Sequence, residues 1–77
     1  MPYLKVIGAA STPMLLRVVN LVAQHDLAFK QLEAELAEDG MVIRIDLAGA
    51  ADTVSPATVE RLRAFVEVSA VELSERT

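Results

Sequence analysis

Between Leu32 and Leu47 the chain reads LEAELAEDGMVIRIDL, two runs that each alternate apolar and polar residues on either side of Asp39-Gly40. Alternation with a period of two marks a strand with one buried face, and an Asp-Gly dipeptide between two such runs marks a tight hairpin. With Asp39-Gly40 as the loop, Leu36 stands opposite Ile43, Ala34 opposite Ile45 and Leu32 opposite Leu47, a wholly apolar face. The same register sets Glu35 against Arg44, a favourable pair, and Glu33 against Asp46, a like-charge pair that only a neighbouring cation would relieve.

Tyr3 to Ala9 also alternates, with Leu4, Val6 and Gly8 on one side and Tyr3, Lys5 and Ile7 on the other, and predicts a first strand. The small residues Ala9-Ala10-Ser11-Thr12 lead into Pro13, which suits the first turn of a helix because it has no N–H to satisfy there. From Met14 onward Leu15, Val18, Val19 and Val22 recur at helical spacing, so a helix is predicted from near Thr12 to about His25-Asp26. The next segment, Leu27 to Glu38, is rich in Ala, Leu, Glu and Gln, and propensity alone would continue the helix through it. A helix there would discard the hairpin signal and leave the following strand without its partner, so this segment is predicted as a strand.

Beyond the hairpin, Ala48 to Asp52 reads as a loop, and Ser55-Pro56 supplies a cap and a first-turn proline for a second helix with Val59, Leu62, Phe65 and Val66 as its buried stripe. Val68 to Ser74 alternates again and predicts a closing edge strand, followed by a frayed tail at Glu75-Arg76-Thr77. The order βαββαβ makes residues 1–77 one α+β domain of ferredoxin-like type, with right-handed crossovers placing both helices on one face of a four-stranded antiparallel sheet. Strand one then lies beside Met41 to Leu47, which would bring Lys5 near Asp46 and Glu33 on the open face.

A chain of 77 residues buries only about 60% of the surface its unfolded form exposes, yet 53% of these residues are hydrophobic. That excess predicts a partner surface, most simply a second copy joined side by side along the sheet edge Phe29 to Leu36. A formal net charge of −4 with scattered Lys and Arg argues against nucleic acid. The absence of cysteine removes disulfides, thiolate metal sites and a Cys nucleophile, and fits a reducing compartment. The start MPYLKVIG does not read as a signal peptide, and no apolar run approaches the ~18 residues needed to span a bilayer. The expectation is a soluble cytoplasmic protein.

Several chemistries known on this architecture lack their residues. The loop from Gly8 to Pro13 has no soft metal ligand and no arginine for a phosphate cradle, and the central strands carry only Tyr3 as an aromatic for base stacking. No catalytic residue and no cofactor is therefore predicted, which leaves binding of a small molecule or a protein. His25, the one histidine, is placed at a helix end and read as a structural surface residue rather than a base or switch. Ser11 and Thr12 could hold a ligand carboxylate, although capping their own helix is the commoner use. Glu33, Glu35 and Glu38 alternate along a solvated face rather than forming a metal site, and Met14 is read as packing material.

The stretch Met14 to Leu36, MLLRVVNLVAQHDLAFKQLEAEL, resembles an ACT domain, especially the small regulatory subunit of acetolactate (acetohydroxyacid) synthase. Leu15, Arg17-Val18 and Leu21 match the first-helix pattern of that family, and Phe29 and Leu32 match the start of its second strand. The resemblance implies a non-catalytic subunit that binds and activates a thiamine-diphosphate-dependent catalytic subunit in branched-chain amino-acid synthesis, with no cofactor of its own. It also implies a ligand-binding region at Ala10, Ser11, Thr12, Pro13, Met14 and Ala28. Members that bind amino acids carry an Asn where this chain has Ala10, a Gly where it has Pro13 and an Asn where it has Ala28, so the resemblance points to the type that valine does not inhibit, with an amino acid at most a weak effector. Two other readings stay open, a free-standing ACT module that binds an amino acid and regulates another enzyme, and a structural dimerisation domain.

Overall fold

The computed structural model describes residues 2–49 and 54–74. Six elements follow in the order β1 (Tyr3–Gly8), α1 (Thr12–Gln24), β2 (Phe29–Ala37), β3 (Gly40–Leu47), α2 (Pro56–Ala64) and β4 (Val68–Ser74). The strands form one sheet in the order β2-β3-β1-β4, with every neighbouring pair antiparallel. The two strands reached by crossovers, β2 and β4, are therefore the edges, and β1 and β3 lie in the centre. The predicted loop at Ala48 to Asp52 and the tail at Glu75 to Thr77 fall partly or wholly outside the described residues.

Alternation in β1 and β3 does what the sequence demands. Leu4 and Val6 face Ile45 and Ile43 across the central pair, all four sealed from solvent, and they share one core with Met14, Val18, Leu21 and Val22 of α1 and Leu62 of α2. Both helices thus lie on one face of the sheet. The other face stays open and carries Tyr3, Lys5 and Ile7 beside Asp46, Arg44 and Val42.

Both ends of α1 are closed by local chemistry. Ser11 is extended (φ −139°, ψ 133°) and its Oγ accepts a hydrogen bond from the Met14 amide at 3.1 Å. At the far end Asp26 takes a positive φ of 53°, while the Leu27 amide donates to the Val22 carbonyl and the Asp26 amide to that of Ala23. These are the two bonds of a Schellman ending, with Val22 and Leu27 supplying its buried apolar pair.

Three sequence expectations are corrected. The hairpin loop is Glu38-Asp39, not Asp39-Gly40: Ala37 pairs with Gly40, Leu36 with Met41, Ala34 with Ile43 and Leu32 with Ile45. This shift of two positions keeps the apolar face intact and removes the charge conflict, because Glu33 now opposes Arg44 and Asp46 opposes Gln31. Lys5 lies in register between Arg44 and Glu72 rather than beside Asp46, which is taken by Arg44 (Nε to Oδ1 2.9 Å). Val66, assigned to the buried stripe of α2, is 95% exposed, because the helix ends at Ala64 and Phe65 turns the chain toward β4, whereas Thr58 is buried in its place.

Candidate functional site

The residues singled out in the sequence gather at two ends of α1. At its N-terminus Ala10, Thr12 and Pro13 are exposed, and Met14 is fully buried against the sheet. Ser11 both caps the helix and donates its hydroxyl proton to Oε2 of Glu67 at 3.0 Å. The other carboxylate oxygen of Glu67 accepts from Arg17 Nη1 at 2.9 Å, and its backbone carbonyl accepts from the Ala9 amide, also at 2.9 Å. A carboxylate of the chain itself thus sits at the entrance to α1, tied to the serine that would otherwise be free to meet a ligand anion.

Ala28 is at the opposite end. The 13 residues of α1 span about 20 Å at the helical rise, so Ala28 and the five residues from Ala10 to Met14 do not converge within one chain. Ala28 instead lines a cavity of about 220 Å³ with His25, Asp26, Leu27, Gly49, Ser55 and Thr58. His25 is half-buried there, its Nδ1 2.6 Å from Oγ1 of buried Thr58, so it joins the end of α1 to the start of α2 and is not the surface residue expected.

The β2 side of the molecule forms a third region. The register puts Phe29, Leu32, Ala34 and Leu36 on the helix-facing side, yet Phe29 is 46% and Leu36 74% exposed. Arg17 reaches Glu67 on the β4 side, and Leu15 and Val19 lie on the opposite flank of α1, two positions away in a helix of 3.6 residues per turn. That flank therefore turns toward β2, and Val19 on it remains exposed, whereas Leu16, also exposed, points away from the buried stripe of Met14, Val18, Leu21 and Val22. On the open face, Glu33 and Glu35 line a shallow depression with Lys5, Val42 and Arg44. The Arg44 guanidinium stacks 4.1 Å from the Tyr3 ring centre, and its hydrogen bond to Asp46, more than any other cause, holds its pKa above the ordinary value.

Glu67 and Thr58 were invisible as site residues in the sequence. Ser11 and Glu67 are 56 positions apart and His25 and Thr58 are 33 apart, so only the placement of β4 beside β1, and of α2 beside α1, brings them together. Among the described residues no helix is long and apolar enough to cross a membrane.

No family model matches the sequence, and no curated protein sequence matches it. Solved structures do share its fold. The solution structure of the ACT domain from GTP pyrophosphokinase of Chlorobium tepidum superposes with a TM-score of 0.78 at 12% identity, over 99% of this chain and 86% of that one. The crystal structure of the same domain gives 0.68 at 17% identity, over 95% of each chain. The C-terminal domain of the MgtC protein from Mycobacterium tuberculosis gives 0.58 at 23% identity, over 95% of this chain and 84% of that one. The chain thus has the ferredoxin-like fold of an ACT domain.

Proposed function

We propose that the chain is a non-catalytic regulatory module that works through contact with another protein, and that its partner is the catalytic subunit of an acetolactate synthase. One observation carries the choice of protein over small ligand: the Glu67 carboxylate already engages Ser11 and Arg17 at the head of α1. An amino-acid carboxylate arriving there would have to displace it. Ala10 offers no side-chain polar group and Pro13 no backbone N–H in compensation. The acetolactate synthase partner rests on the sequence resemblance in Met14 to Leu36. The same reading includes a homodimer joined along β2, where Phe29 and Leu36 are exposed.

Mixing the chain with the acetolactate synthase catalytic subunit of its own source organism tests the partner. Synthase activity rises on mixing and stays insensitive to valine if the proposal holds; an unchanged rate removes it. Calorimetry with valine, leucine and isoleucine tests the loop from Ala10 to Met14, and a dissociation constant below ~100 μM for any of them would favour the second reading. That reading, a free-standing module that binds an amino acid, draws its support from the cavity of about 220 Å³ beside His25, Thr58 and Ala28.

A further inference from the structure

We infer that the joining of two copies along β2 is opposed by their own carboxylates and is therefore set by ionic strength. The inference rests on the homodimer proposed above and specifies what regulates it. β2 shows two unlike rows to a strand that pairs with it: Phe29, Leu32, Ala34 and Leu36 on the helix side, and Gln31, Glu33 and Glu35 on the open side. The helix-side row favours association by apolar burial. The open-side row opposes it, because a two-fold axis normal to the sheet keeps the open faces of both copies on the same side.

The opposition holds in every register of the join centred between Leu32 and Leu36. With the axis at Ala34, Glu33 stands directly opposite Glu35 of the second copy, twice over. With the axis at Glu33 or at Glu35, that residue meets its own copy. With the axis at Leu32 or Leu36, Glu33 or Glu35 lies diagonal to its copy. Directly opposed side chains on antiparallel strands are about 5 Å apart and diagonal ones about 7–8 Å, inside the screening length of ~8 Å at physiological salt.

The nearby cations lie inward of the join or outside its regular stretch. Arg44 opposes Glu33 one strand inward and is attracted by it, but its stronger partner is Asp46, and its guanidinium is stacked on Tyr3. Lys5 is a further strand away, between Arg44 and Glu72. Lys30, the only cation of β2, stands at the irregularity between Phe29 and Gln31, outside the regular stretch. Across the join, acid therefore meets acid.

Sedimentation of the whole chain and of a Glu33→Gln/Glu35→Gln variant, from ~20 mM to ~500 mM sodium chloride, tests the inference. The expected result is that the unmodified chain associates more tightly as salt rises, whereas the variant associates about three- to tenfold more tightly at low salt and loses most of the salt trend. Because Glu33 and Glu35 are exposed, the variant keeps its fold, which circular dichroism checks. Dimers of equal strength in both proteins, indifferent to salt, would overturn the inference and leave the edge dimer standing. Monomers in both proteins at every salt concentration would remove the edge dimer itself.

Discussion

β2 and β3 are the two arms of one hairpin and pair residue by residue, yet their environments differ completely. Ile43 and Ile45 of β3 are sealed from solvent, whereas Ala34, directly opposite Ile43, is exposed, and Leu36, opposite buried Met41, is largely so. The alternation that marks both arms as strands states which residues share a face. It does not state how far the cover over that face extends. Here the helices cover β3, β1 and part of β4, and the cover ends before the outer edge of β2. An apolar row that looks like core in sequence becomes surface in the folded chain, and the proposed dimer rests on that row.

The largest expected break in that comparison is Ile43→Ala. It removes branched apolar volume from the centre of the packed layer, where Ile43 touches no solvent, and should cost about 2–5 kcal/mol, measured by urea unfolding at a protein concentration low enough to keep the chain monomeric. For a domain this small, a loss of that size is a large share of total stability. A cost under ~1 kcal/mol would mean that β3 is no better packed than β2.

Gly40→Ala comes next and addresses why the sequence placed the turn wrongly. Glycine after Asp39 reads as a turn glycine with positive φ, but no described glycine has a positive φ, and Gly40 already belongs to β3. Its lack of a side chain serves the sheet: a Cβ there would lie 2.5 Å from the carbonyl oxygen of Gly8. The dipeptide was therefore the right signal for a hairpin and the wrong one for its loop. An added methyl should cost about 1–3 kcal/mol through overpacking against backbone, and a neutral result would return the residue to the role of an ordinary turn glycine. Unfolding midpoints of the two proteins decide it.

The element order, both Ser-Pro type helix starts, the strand at Leu27 to Glu38 and its partner were legible because each rests on residues close together in sequence. Ser11 as a cap was legible for the same reason. What was not legible depends on distance along the chain. Nothing local marks Glu67, at the short turn into β4, as the carboxylate that meets Ser11 and Arg17, or Thr58 as the buried partner of His25. The edge of the helix layer is equally invisible, since it depends on how far α1 reaches across the sheet and not on any residue of β2.

The smallest expected effect on the monomer, and the sharpest test of the contrast between the arms, is Leu36→Lys. Leu36 is 74% exposed, so little apolar area is returned to water, and the monomer should keep its stability within about 0.5 kcal/mol. Self-association should weaken strongly, because the substitution places an ammonium in the apolar row that a second copy would cover, where burial of an unpaired charge is costly. The two measurements separate the two meanings of an apolar residue. A leucine that serves its own fold loses stability when replaced, and a leucine that serves a partner loses only association. If Leu36→Lys instead unfolds the monomer, β2 is packed as β3 is, and the exposed row is not a surface for a partner. If the monomer keeps its stability and the dimer also keeps its strength, the copies meet elsewhere on the molecule.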